Sequence, residues 1–549
     1  MSVSRSCVIR VLSVCLGAAS VLGACGGDSS DAGPARSAEV DLDQVAEYEN
    51  PPRLGGTLRV GLNAETDGWN PVANRWASSA YIVANAVFDR LAAYDPEGNP
   101  QPYLALSLEP NPDATEWLIG LRPGVLFHDD TPLDADAVKT NLDAHRASPL
   151  TATALLAVER VEVVDPLTVR VVMNQPWATF DHTLTAQTGV MAAPSMLADP
   201  DGARNPVGTG PFTFVDWVPD STLRVEANPT YWREGMPYLD AVEFRVLADP
   251  SSRAAAIRSG SVDVVETNDP ASILSLAEEA RDGTFQVFTG DPEDTSVTMV
   301  ALNLAAPPFD DPLARRIVAT GTDRQSSSEI GYLGLFPPAE GPFDRSSPYF
   351  AETDYPAYDL EEARRLHEQY QAENGEPLSY TIHIPSTPEI RAVTEAAQER
   401  FRSIGVEMVI ETMDQATLIA DALNGNYQAT GWILFGDPTL DRSYSFIAAG
   451  TVRPPGQLSL NFARNDDAAL TAALDESRAA PDLETRVEAY RVVQEQLADR
   501  LPYVYLVRQR FVIVTTPSVH GLADWTFPEG APGRRTPAQL ITAGAWLSP

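Results

Sequence analysis

No stretch rich in Gly, Ser or Pro divides this 549-residue chain from Gly55 onward, yet one hydrophobic core usually serves only ~150 to 250 residues. A body of this size must fall into lobes, and lobes that no linker separates must share more than one crossing of the chain. The expectation is a hinge rather than beads on a string. Short strands alternate with amphipathic helices, with no fixed-period repeat, which predicts a mixed α/β architecture. Thr57 to Leu62 alternates as a first strand, and Val158 to Val164 with Thr168 to Met173 reads as a hairpin turning at Asp165-Pro166. Tyr380, Ile382 and Ile384 share one face of a later strand. Asp359 is placed to cap a helix bearing Leu360, Ala363, Leu366 and Tyr370. Ile390, Val393, Ala397, Phe401 and Ile404 form a second apolar stripe, and Leu483, Val487, Tyr490, Gln494, Leu497 and Leu501 a third, stopped by Pro502. These stripes are core surfaces.

The first 50 residues read differently. Residues 1 to 24 carry Arg5 and Arg10 and no acid, then an apolar run from Val11 to Ala24 that is too short to span a bilayer as a helix. This is an export signal. It ends Leu22-Gly23-Ala24-Cys25, which resembles the bacterial lipoprotein signal, where the cysteine thiol receives a diacylglyceryl group. The other cysteines, Cys7 and Cys15, lie inside the removed segment and leave Cys25 without a disulfide partner. Cys25 is therefore the expected lipidation site, and residues 25 to 50, polar and acidic, are expected to be a flexible tether. The formal net charge of -37 repels phosphate backbones, which excludes nucleic acid as a partner. The six histidines show no paired ligand spacing and the mature chain has no cysteine pair, so neither a metal nor another cofactor is expected.

Several motifs are recognisable. They include Gly55-Gly56-Thr57-Leu58-Arg59-Val60, Leu121-Arg122-Pro123-Gly124-Val125-Leu126-Phe127-His128-Asp129-Asp130, and Asn205-Pro206-Val207-Gly208-Thr209-Gly210-Pro211-Phe212. Tyr231-Trp232, Tyr238-Leu239-Asp240, Ser259-Gly260-Ser261-Val262-Asp263, Pro307-Pro308-Phe309-Asp310-Asp311 and Leu501-Pro502-Tyr503 follow in the same order. With these motifs the chain resembles the solute-binding proteins, family 5, of peptide and nickel ABC importers, the dipeptide- and oligopeptide-binding lipoproteins. The physical reading of most of them is structural: glycines for tight turns, prolines that stiffen a loop, and His128 in a polar turn where the family usually has glycine in place of Asp130.

The resemblance implies an α/β, two-lobed periplasmic-binding-protein fold of the large peptide-binding type, with a hinge between the lobes. Lobe I is expected over 51 to 295, with an inserted subdomain at about 80 to 195, lobe II over 296 to 502, and a return to lobe I over 503 to 549. Gly431-Trp432-Ile433-Leu434-Phe435-Gly436-Asp437-Pro438 resembles the family's cleft-lining segment, whose aspartate pairs with the α-ammonium of peptide ligands, so Asp437 and Trp432 are candidate ligand contacts. The Trp spacing and Pro438 depart from the family pattern. Asn63 and Trp69, in the loop after the first strand, are further candidates. The implied function is capture of a small solute or peptide at the extracytoplasmic face of the bacterial cell membrane, and its delivery to an ABC permease by a lipid-anchored monomer with no catalytic residue. Two other classes remain open: a transport-inactive envelope lipoprotein acting as sensor or regulator, and an exported hydrolase, for which no nucleophile elbow, phosphate loop or metal motif is present.

Overall fold

The computed structural model describes residues 40–549 apart from 47, 49–50, 75, 291–295, 435 and 537–539. The signal segment, Cys25 and the tether as far as residue 39 lie outside the described residues. Two large sheets organise the rest. A seven-stranded sheet runs in the order Gln286–Thr289, Val512–Thr515, Val264–Thr267, Thr57–Leu62, Ala241–Val246, Thr222–Ala227, Phe212–Val218. A five-stranded sheet runs Glu407–Met413, Ser379–Pro385, Ala429–Leu434, Ser296–Leu302, Tyr503–Gln509. A smaller four-stranded antiparallel sheet, Ala105–Pro110, Glu116–Leu121, Thr168–Met173 and Val158–Asp165, is inserted after the first strand of the seven-stranded sheet. The expected first strand, hairpin and Tyr380 face are all present, the last as a strand whose buried residues are Tyr380, Ile382 and Ile384.

The chain passes between the two large sheets twice, from Thr289 to Ser296 and from Gln509 to Val512. The second passage falls later than residue 503, because Tyr503–Gln509 pairs with Ser296–Leu302 inside the five-stranded sheet. Pro502 ends the preceding helix, but the strand that follows stays on the same side. The far end of the expected tether also differs. Gln44 forms an antiparallel bridge with Val287 on the edge strand, Asp43 pairs with Arg535, and the Tyr48 ring stacks on His520 at 4.2 Å. Residues 40 to 48, apart from 47, hold on by hydrogen bonds, an ion pair, the Tyr48 ring and Leu42, which packs against the apolar cluster containing Val287 and Val514.

The acid excess has a local use: helix after helix opens on an aspartate. Asp134, Asp249, Asp269, Asp311, Asp323, Asp359, Asp414, Asp467 and Asp482 all occupy N-caps and accept a first-turn amide. Each such cap contributes roughly 1 kcal/mol. In Asp249-Pro250, Asp269-Pro270 and Asp311-Pro312 the proline takes the first helical position, where its missing N–H costs nothing. The three apolar stripes lie on helices Leu360–Asn374, Pro388–Ser403 and Leu483–Arg500, although Leu483 itself is exposed.

The recurrent motifs prove to be scaffold. Three of their side chains converge on Asp89, a residue the sequence does not single out: Thr209 Oγ1 at 3.0 Å, Tyr231 OH at 3.1 Å and Trp232 Nε1 at 2.9 Å all donate to its carboxylate. A Cβ on Gly208 would sit 2.2 Å from the Val87 carbonyl oxygen, so close approach rather than a positive φ demands glycine there. His128 spans the same loop, with Nε2 2.9 Å from the Gly210 carbonyl oxygen, and burial lowers its pKa. Asp130 has φ +64°, a left-handed conformation that aspartate tolerates better than most residues, which accounts for the family's glycine at that position.

Burial pushes the Asp89 carboxyl up to about 6, against the opposing pull of its three donors. Between about pH 4 and 6 the folded protein therefore keeps a proton that the unfolded chain has released, so stability falls as pH rises through that window and flattens above it, by about 3 kcal/mol for a shift of about two units. Asp89→Asn should reduce the slope of unfolding free energy against pH by one proton's worth across this window. Denaturant titrations at several pH values would test this, and an unchanged slope would assign the titration elsewhere.

Candidate functional site

Strand register brings the candidate residues to one junction. Thr57–Leu62 runs parallel to Ala241–Val246 and to Val264–Thr267, so their carboxyl ends share one edge of the seven-stranded sheet. Thr267 there pairs with Val512, directly after the second crossing. On the other sheet Ser296 pairs with Gln509 and Val297 with Leu434. The edge where the sheets are joined thus carries Asn63, Glu266, Ser296, Gln509, Arg510 and the segment leading to Asp437. Carboxyl ends of parallel strands where the connections diverge are the usual position for ligands in open α/β sheets.

Asp437 lies three residues beyond Ala429–Leu434 and is buried, 9% exposed. Tyr94, from the first part of the chain, donates its hydroxyl to Asp437 Oδ1 at 2.9 Å, and the same hydroxyl lies 3.2 Å from His182 Nδ1. Burial and the neighbouring Asp437 charge raise the Tyr94 pKa well above its ordinary value, so it remains a phenol and a donor. A fixed carboxylate in a desolvated position between two sheets is suited to holding a cationic group.

Asn63 directly follows the first strand. Its Oδ1 is 2.5 Å from Ser79 Oγ, which is also 2.7 Å from Glu266 Oε2. Glu266 is fully buried, and burial raises its pKa against the pull of the Ser78 and Ser79 hydroxyls. One hydroxyl has one proton. Ser79 therefore donates either to Glu266, with the Asn63 amide presenting its nitrogen, or to Asn63, with Glu266 carrying a proton. Arg510, on the second crossing, is half-buried, and its Nε, out of contact with water, has no hydrogen-bond partner among the described residues.

The two tryptophans stand apart from this polar set. Trp69 is 2% exposed, with its ring edge-on to Trp217 at 5.8 Å inside the hydrophobic core, so the loop after the first strand turns its indole inward. The Trp69 Nε1, buried there, has no hydrogen-bond partner among the described residues. Trp432 is half-buried on Ala429–Leu434 with its ring 4.3 Å from Phe462, and it packs on the apolar clusters of the five-stranded side. Sequence reasoning missed Tyr94, Glu266 and Arg510. Glu266 carried a signal, as a lone acid in an apolar strand, whereas the other two carried none.

Among the described residues no group of three or more His, Cys, Asp or Glu could hold a metal ion, and no helix is long and apolar enough to cross a membrane. Two α/β bodies joined by two crossings, with polar groups gathered where they meet, define the class of two-lobed solute receptors with the periplasmic-binding-protein fold. The chain belongs to the bacterial extracellular solute-binding proteins, family 5, whose model matches residues 99–453. It is similar to the glutathione-binding protein GsiB of Pectobacterium atrosepticum, 26% identical over 469 residues that cover 81% of this chain and 87% of the relative. GsiB of Salmonella typhimurium is also 26% identical, over 86% of this chain and 92% of the relative. Among solved structures, the periplasmic binding protein DppA from Helicobacter pylori in complex with the peptide STSA superposes with a TM-score of 0.78 at 21% identity, over 90% of this chain and 99% of that one. AgaA from A. tumefaciens R10 in complex with agropinic acid gives 0.77 at 24% identity, over 90% and 99%.

Proposed function

We propose that the protein captures a small peptide carrying a free ammonium and a carboxylate, and delivers it to an ABC importer. The observation that carries this reading is Asp437, a buried carboxylate at the junction of the two sheets, in a segment that resembles the family's cleft-lining one. Asp437 takes the ammonium of the solute, and Arg510, at the opposite sign, takes its carboxylate. Both assignments agree with the named solutes of the relatives, glutathione and a short peptide, which carry both groups. Asn63 serves through its backbone and its link to Ser79. Lobe I comprises residues 51 to about 289 and about 512 to 549, and lobe II about 296 to 509, with the two crossings as hinge. Solute is held by the closed arrangement and shifts the equilibrium towards it, while ATP is hydrolysed by another polypeptide.

Mass spectrometry of small molecules released from gently purified protein would identify the solute. Adding it back at one hundred times its Kd should stabilise the protein by about 2.7 kcal/mol, read as a rise in melting temperature, and the solute should be recovered chemically unchanged. Recovery of a cleaved product would make the protein an enzyme. Cys25 carries the membrane anchor in this reading. Cys25→Ala should move the protein from the detergent phase to the aqueous phase with its melting temperature intact, and unchanged partitioning would remove the lipid from the account.

A further inference from the structure

Holding a solute does not require the two lobes to grip one another, yet they do so through a buried cluster. Trp177, four residues past strand Thr168–Met173, is fully buried, and its Nε1 donates to Asp441 Oδ1 at 3.0 Å. Asp441 follows strand Ala429–Leu434 of the other lobe. The same carboxylate oxygen accepts Arg478 Nε at 3.0 Å, and both charged side chains are almost wholly removed from water, at 2% and 0% exposure. The Arg478 guanidinium carbon lies 4.2 Å from the Trp177 ring centre and 3.6 Å from that of Tyr444, so a cation is held between one aromatic ring from each lobe. Two flanking bonds cross in the same place: the Ala178 amide donates to the Arg478 carbonyl at 2.6 Å, and Gln175 Nε2 donates to Asp475 Oδ1 at 3.1 Å.

Parting the lobes would lift the Trp177 ring, expose a large apolar surface and return a buried ion pair to water. An indole N–H on a carboxylate and a desolvated cation–π contact are both stronger here than at a wet surface. Every one of these groups belongs to the protein, so the free energy gained on closing is the same whatever solute is held.

We infer that Trp177, Asp441 and Arg478 form a clasp that favours closure of the two lobes before solute arrives and so raises the affinity for every solute by a common factor. The inference rests on the two-lobed receptor reading above. These are positioning residues, acting through the closed population. Apparent affinity scales with the fraction of protein already in the binding-competent form.

The test needs no solute. Protein is stripped by unfolding in guanidinium, refolded, and followed by hydrogen exchange and small-angle scattering. The Ala178 amide should exchange at least a hundredfold more slowly than an exposed amide, and the radius of gyration should equal that calculated from this structure. Fast exchange at Ala178, or an expanded particle, would overturn the clasp. Trp177→Phe combined with Gln175→Ala keeps a ring over Arg478 but removes the two side-chain bonds that Trp177 and Gln175 make across the lobes. It should speed Ala178 exchange tenfold or more and expand the particle, with circular dichroism unchanged. A double variant that folds and stays as compact and as protected as the parent would also overturn the clasp, since other contacts would then hold the lobes. Should it fail to fold, the exchange of Ala178 in the parent protein decides the matter alone. Failure to find a solute would leave all of these readings intact.

Discussion

Asp437→Asn should weaken the binding of an ammonium-bearing peptide by about 3 to 5 kcal/mol, more than a hundredfold, the range for leaving a buried charge without its partner. The carboxylate is 9% exposed, so little water screens its charge from a cation beside it. Asparagine keeps an acceptor for the Tyr94 hydroxyl, which lies 2.9 Å from Oδ1. Calorimetric titration with a free-amine peptide and its N-acetylated counterpart separates the alternatives. The parent protein should prefer the free amine strongly, and the variant should bind the two alike. Equal affinities for the free amine in parent and variant would leave Asp437 a structural role alone.

A second large effect belongs to stability. Arg478→Ala should cost about 3 to 5 kcal/mol in denaturant unfolding, because among the described residues it leaves the Asp441 carboxylate, at 0% exposure, with only the Trp177 indole and the Thr439 hydroxyl as side-chain donors. It also removes the cation between Trp177 and Tyr444. Replacing both charges, Arg478→Met with Asp441→Leu, should restore a large part of the loss, since an apolar pair of similar volume carries no desolvation cost. A loss below 1 kcal/mol for Arg478→Ala would mean that water reaches Asp441 once the arginine is gone.

Local order was legible in the sequence because local rules govern it. Asp359 caps its helix through a 2.9 Å bond to the Glu362 amide, as its position before an apolar stripe implies, and the hairpin over 158 to 173 turns where Asp165-Pro166 says it should. The recurring motifs identified the family, though for reasons of scaffold: Thr209, Tyr231 and Trp232 are joined through Asp89, which belongs to none of those motifs. What stayed hidden is long-range. Trp177 and Arg478 lie some 300 positions apart in a chain rich in arginine and acid, and no local pattern marks the one arginine that meets that tryptophan. Trp69 looked like a loop residue because polar residues surround it, and only its contact with Trp217 shows that the loop folds inward. Tyr503–Gln509 was expected with the returning C-terminal segment but joins the five-stranded sheet, because a proline before a strand ends a helix without saying which sheet the strand will join.

The docking of residues 40 to 48 has a mechanical meaning. The N-terminal strap bridges Val287 and grips Arg535 and His520 near the C-terminus, so both ends of the described chain are fastened to the body built on the seven-stranded sheet. Any force or restraint applied through the N-terminus enters at strand Gln286–Thr289, the one that leads into the first crossing. In the hinged-receptor reading proposed above, that body would be the stator, and the body built on the five-stranded sheet the arm that swings. A partner reading the state of the protein from a fixed surface would find the seven-stranded side where it always is, and would sense occupancy by the angle of the other.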